Sequence, residues 1–139
     1  YFLLAFAIWD LVYYIFLKVI IGWPQSIFDW DILFLIPLPW VSPVLAPCLV
    51  AVTMLILALL ILQTENAGMQ IRLNTKMMFT FVTGSLVIIF SFMRCYLNYV
   101  KATSPQVIVA GFVPQSFDWL VFFVGLAFTR VSNRLFSPF

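Results

Sequence analysis

WPQSIFDWDILFLIPLPWVSPVLAP, residues 23–47, is the stretch that decides the fold, because it interrupts an otherwise apolar chain. It holds five of the eight prolines, three of the five tryptophans and two of the five acidic residues. Proline removes a backbone donor and disfavours helix at the residue before it, and lipid cannot satisfy the carbonyl groups that are released. We therefore predict an interfacial or re-entrant segment over residues 23–43. It consists of a turn, a short helix at about residues 27–36 and a proline-rich bend, and it does not cross the membrane.

The rest of the chain has the composition of a membrane protein. It is 65% hydrophobic and 9% charged, whereas soluble domains carry about 25% charged residues. Its long continuous apolar runs favour helices over the alternating segments of a barrel. We predict a single all-α integral membrane domain with about four transmembrane helices, at about residues 1–21, 44–62, 76–100 and 117–136. Because Tyr1 lies inside an apolar run without a methionine, we also expect the N-terminus to be incomplete.

Charge and metal-ligand content exclude several classes of function. The net charge of +2 is thinly spread, whereas a nucleic-acid surface needs clustered basic residues. The chain has no histidine, which excludes His-ligated haem, His-bound metals and a histidine general base. Cys48 and Cys95 form no metal-binding pattern, and we expect both to be free thiols. The identity of any other cofactor is not specified by the sequence.

A polar stripe runs along the first predicted span. Asp10, Tyr14 and Lys18 follow one another at four-residue spacing and share a helical face. A carboxylate in mid-membrane is costly unless it is paired, hydrated or protonated. The stripe is therefore a candidate intramembrane site for a proton or substrate. The alternative is that Asp10 lies at another depth and bonds a tyrosine or serine of a neighbouring helix.

The positive-inside rule predicts the orientation. Arg72, Lys76, Arg130 and Arg134 place the 63–75 loop and both ends of the chain on the cytoplasmic side. The proline-rich segment and the 101–116 loop then share the outer side. On that side, acidic and basic residues would form a candidate outer-face cluster, together with Lys18 at the end of the first span. Its members are Asp29, Asp31, Arg94, Lys101 and Asp118. They would either form ion pairs or make a polar site.

Two further sets of residues indicate packing. Small side chains recurring on one helical face let helices approach closely, and the last two spans carry such a face: Thr80, Gly84, Ser91, Cys95, Gly125 and Thr129. Asp118, with Ser116, is expected at the start of the last helix. The proline-rich segment is either a connector at the membrane boundary or an interface with another subunit, and its candidate interface residues are Trp23, Trp30, Leu35 and Trp40.

Three functions are compatible with these patterns. The first is a small non-catalytic accessory subunit of a larger membrane complex of respiratory or photosynthetic type, in a bacterial or organellar inner membrane. Its partners would be the lipid bilayer and other membrane subunits. The second is a small transporter or proton-conducting protein that uses Asp10, with a broken helix near mid-membrane. The third is a lipid-modifying enzyme using Asp29, Asp31 and Arg94, although carboxylates two residues apart on a helix point away from each other.

Overall fold

The computed structural model describes residues 1–36, 38–68, 74–102, 114 and 116–134, with the backbone alone at 102 and 131–134. Arg72, most of the 101–116 loop and the end of the expected last span lie outside these residues. The described elements are four helices and two strands. In chain order they are α1 (Phe2–Ile21), β1 (Trp30–Phe34), β2 (Trp40–Pro43), α2 (Leu45–Asn66), α3 (Thr75–Ala102) and α4 (Trp119–Arg134).

Three of the helices are long and apolar enough to cross a membrane. α1 has 20 residues, α2 has 22 and α3 has 28, whereas α4 is a shorter apolar helix of 16 residues. Large apolar side chains such as Trp9 and Phe16 are exposed on α1. A soluble protein would bury such a face, so lipid is the solvent that this surface requires. The chain is a mostly helical protein of the membrane-spanning type.

α1 ends where the sequence predicts. Gly22 takes the left-handed conformation at φ 72°, and its N–H donates to the carbonyl of Lys18. Glycine adopts this conformation without a Cβ penalty, which is why it commonly terminates helices. Pro24 then follows in the connection to β1.

The predicted short helix at residues 27–36 is wrong, because this stretch forms a β-hairpin. β1 pairs antiparallel with β2 in the register Trp30 with Pro43 and Phe34 with Trp40, with an irregularity between Ile32 and Phe34. A helix of this length would be costly to nucleate, and the aromatic and β-branched content of β1 favours a strand. Pairing also gives the backbone partners that lipid cannot provide. Between α1 and α2, the described residues form a turn and two strands and contain no helix.

A compact turn connects α1 to the hairpin. The Asp29 Oδ2 atom accepts hydrogen bonds from the backbone N–H of Gln25 at 2.6 Å and of Ser26 at 3.1 Å. The Asp29 carbonyl accepts from Val44 N at 2.9 Å, at the start of α2. Asp29 therefore closes this turn and joins it to α2.

The helices pack as two pairs with the hairpin between them. α1 contacts α2, α3 contacts α4, and β2 contacts both α2 and α3. In the second pair the backbones meet at glycines: a Cβ on Gly84 would lie 2.9 Å from the Gly125 carbonyl oxygen. Beside this contact lies a buried cluster on which the hairpin tryptophans pack, formed by Ala46, Ile88, Phe92, Phe117 and Phe122.

Candidate functional site

A cavity of about 590 Å³ lies between the two helix pairs, where α1, the hairpin, α2 and α3 meet. One wall is a ladder of rings on α1, in which Trp9 and Tyr13 stack at 5.7 Å. The facing wall comes from the hairpin and α3, where Phe34 meets Trp40 edge-on at 5.1 Å. The lining is mainly apolar and rich in aromatic side chains, which are Phe6, Trp9, Tyr13, Tyr14, Phe34, Trp40 and Phe92.

Two carboxylates line this cavity, one on each wall. Asp10 belongs to α1 and Asp31 to β1, and both side chains line the same cavity. The Asp31 Oδ2 atom accepts a 2.8 Å hydrogen bond from the hydroxyl of Tyr14, a side chain with only 6% of its surface exposed. The Asp31 Oδ1 atom accepts from the N–H of Ile32 at 2.8 Å. Asp31 is therefore held by protein donors on both oxygens.

Asp10 differs from Asp31 in having no such partner. Its carboxylate accepts no hydrogen bond and forms no ion pair with any residue in the described part of the chain. It lies one helical turn before Tyr14, on the same face of α1. A half-buried carboxylate without a protein donor is costly unless a proton, a cation or water neutralises or solvates it.

The position of both carboxylates along α1 follows from helix geometry. With a rise of about 1.5 Å per residue, Tyr14 lies about 10 Å below the C-terminal end of α1, and Asp10 lies about 16 Å below it. The Tyr14 hydrogen bond brings Asp31 to a similar level. The hairpin therefore lies alongside the C-terminal half of α1, where its residues line the cavity.

One buried indole N–H has no hydrogen-bond partner in the described part of the chain. The Nε1 atom of Trp40 is buried and has no acceptor among the described residues. A buried indole N–H usually finds an acceptor. Ser85, which also lines the cavity, donates instead to the carbonyl of Phe81 at 2.9 Å.

The predicted polar stripe is divided by the structure. Asp10 and Tyr14 line the cavity, but the Nζ atom of Lys18 donates to the carbonyl of Pro24 at 2.8 Å, at the end of α1. Asp31 takes the place of Lys18 in this polar group. Helical spacing could not reveal this contact, because Asp31 comes from a different element.

The five residues of the predicted outer-face cluster lie in separate places. Arg94 forms a 2.7 Å ion pair with Asp118, and the Asp118 Oδ1 atom also accepts from Val121 N at the start of α4, as expected of a helix cap. Asp29 closes its turn, Asp31 lies in the cavity, and Lys101 is exposed near the end of α3. Asp29, Asp31 and Arg94 therefore have different partners.

The predicted packing face lies mostly where α3 meets α4. The hydroxyl groups of Thr80, Ser91 and Thr129 each donate to a carbonyl of their own helix. Gly84 and Gly125 are buried against each other, and Cys95, like Cys48, is a half-buried free thiol. With its hydroxyl groups satisfied internally, this face has little capacity to bind a polar ligand.

The four candidate interface residues have different environments. The Trp23 ring lies 6.3 Å from that of Tyr14, and Trp30 packs against the buried cluster. Trp40 lines the cavity, and Leu35 is 67% exposed. Of the four, Leu35 is the one that points outward.

The donor set does not favour a metal centre. Among the described residues there is no group of three or more cysteine, aspartate or glutamate side chains that could hold a metal ion. Comparison of the chain with protein-family models, curated proteins and solved structures finds no match.

Proposed function

We propose that this chain is a small membrane transport or proton-conducting protein that takes up a cation at Asp10. The observation that carries the proposal is the Asp10 carboxylate, which lines the cavity from the middle of α1 and has no donor among the residues that the structure describes. Ionisable residues within membrane spans typically mark ion or proton pathways. In this proposal, Asp10 is the residue that takes up the cation, and Asp31 is the second carboxylate of the same cavity.

The chemistry of the pair favours exchange. Two carboxylates that share a cavity of low polarity repel each other, and a proton or cation taken up by either relieves the repulsion. Asp31 is held by Tyr14 and by its own strand. Asp10 is the member free to bind and release its charge partner.

Flux measurements on the purified protein test this function. Wild-type protein in liposomes with a pH-sensitive dye inside should dissipate an imposed proton gradient faster than empty liposomes. Asp10→Asn, which keeps the shape and removes the charge, should abolish that difference. Asp118→Asn is the matched control, since Asp118 pairs with Arg94 outside the cavity lining, and it should retain flux. Equal flux in the wild type and Asp10→Asn would overturn the proposal.

We also propose four membrane crossings with both ends on the cytoplasmic side, in a bacterial or organellar inner membrane. α4 extends for about 24 Å, which is shorter than the ~30 Å hydrocarbon core. The fourth crossing therefore requires residues outside α4 in addition to the helix itself. Gln25 is exposed in the turn that Asp29 joins to the start of α2, and Ala67 is exposed directly after the end of α2. Single cysteines at these two positions should react from opposite sides in a Cys48→Ala, Cys95→Ala background. Labelling of both from the same side would contradict the topology.

A second candidate function, the accessory subunit, is supported by the tip of the hairpin. Leu35 and Ile36, 67% and 85% exposed, lie in the irregular segment between the strands. Such backbone at membrane depth is tolerated when protein covers it. If a partner subunit provides that cover, Leu35→Asp should shift the protein to a lower mass in native gels of mild detergent extracts. Leu35→Met should not, and an unchanged mass in both would argue against this role.

A further inference from the structure

We infer that the cavity binds an organic ammonium ion with an aromatic or aliphatic body. This inference rests on the proposed cation-handling function and names the class of cation. A proton needs only the carboxylates, whereas the space beside them measures about 590 Å³. Small-molecule sites in proteins typically measure about 300–1,000 Å³. The cavity is therefore large enough for a ligand of many atoms.

The two walls supply what such a cation requires. Asp10 on α1 and Asp31 on β1 contribute negative charge from two sides. Trp9 and Tyr13 on the first wall and Phe34 and Trp40 on the second present aromatic rings to the same space. Aromatic rings attract cations to their faces, and tryptophan does so most strongly. An ammonium group between the walls would be stabilised by both carboxylates and rings.

The rest of the lining disfavours other ligands. An acyl chain would fit the apolar surface but would leave both carboxylates without a counter-charge, and an anion would be repelled. A hard metal ion needs several oxygen ligands, whereas this lining is mainly hydrocarbon and aromatic. An ammonium ion with an apolar body satisfies the charged and the apolar parts together.

Titration calorimetry of purified wild-type protein with benzyltrimethylammonium tests the inference directly. Benzyl alcohol is the uncharged aromatic control. The ammonium ion should bind at least about tenfold more tightly than the alcohol, the ratio that corresponds to about 1.4 kcal/mol. Equal binding of the two, or no binding of the ammonium ion, would overturn the inference.

Variants locate the site. Asp10→Asn should weaken ammonium binding about tenfold or more, Asp10→Glu should restore much of it, and Trp9→Ala should weaken it about threefold. Asp118→Asn should bind as the wild type does. Because Asp10 has no described hydrogen-bond partner, Asp10→Asn should fold normally, which thermal unfolding checks. Wild-type affinity in Asp10→Asn would place the ligand elsewhere and overturn the inference.

The outcomes separate this inference from the proposed function. Asp10-dependent proton flux without ammonium binding would overturn the inference and leave the proposed function standing. Ammonium binding that depends on Asp10, without flux of protons or of the ammonium ion, would support the site and overturn transport.

Discussion

The hydroxyl of Tyr14 donates a 2.8 Å hydrogen bond to Asp31 and so joins α1 to the hairpin. The two residues are 17 positions apart, and Tyr14 is buried. This bond orients one carboxylate of the cavity and fixes the hairpin alongside α1.

Tyr14→Phe should therefore destabilise the protein. Hydrogen bonds to charged groups contribute about 1.5–3 kcal/mol, and the substitution leaves Asp31 with its backbone donor alone. Thermal unfolding in detergent should show a lower midpoint. Tyr13→Phe is the matched control, because Tyr13 is more exposed and its hydroxyl has no hydrogen bond in the described region. Equal shifts in the two variants would show that the Tyr14 bond adds little to stability.

A second prediction concerns the glycine contact between α3 and α4. In Gly84→Ala the new Cβ would lie 2.9 Å from the backbone oxygen of Gly125, so the helices must separate. Overpacking of this kind costs about 1–3 kcal/mol. Unfolding by added denaturing detergent should begin earlier in this variant than in Val124→Ala, which shortens an exposed side chain on α4. Similar curves would mean that the helix pair has room for a methyl group.

A third prediction separates the two roles of Asp118, its ion pair with Arg94 and its cap at the start of α4. Asp118 is both the partner of Arg94 and the cap of α4. The ion pair is partly exposed and should be worth about 0–1 kcal/mol, whereas loss of a cap costs about 0.5–2 kcal/mol. Asp118→Ala should therefore destabilise more than Arg94→Met does. Asp118→Asn, which can still cap the helix, should resemble Arg94→Met, and a larger loss in Arg94→Met than in Asp118→Ala would contradict this division.

The helices could be predicted from sequence because their signals are local. Long apolar runs indicate membrane helices, Gly22 marks the end of α1, and Asp118 marks the start of α4. Such signals depend on a few neighbouring residues, so no tertiary information is needed to read them.

The hairpin could not be predicted because its signal is not local. A short apolar run such as ILFLI is compatible with helix or strand, and what decides here is pairing with β2 beyond Pro39. The candidate site has the same character. Asp10 and Tyr14 share a helical face and are visible in the sequence, whereas Asp31 reaches them through the fold.

The last prediction concerns the depth of the hairpin. Because Asp31 meets Tyr14 about 10 Å below the end of α1, the hairpin tip should lie within the bilayer. Ile36 is 85% exposed, so a cysteine there would react quickly if water surrounded it. In membranes, Ile36→Cys in a Cys48→Ala, Cys95→Ala background should instead resist a membrane-impermeant maleimide. Thiolates form and react poorly in hydrocarbon.

Ser26→Cys is the matched control for this measurement. Ser26 is exposed in the turn that follows α1, so its cysteine should react readily from the outer side. Denaturation in dodecyl sulfate should make both cysteines reactive, which shows that the Ile36→Cys thiol is intact. Equal maleimide reactivity of the two cysteines in membranes would place the hairpin tip in water and remove the basis for a re-entrant segment.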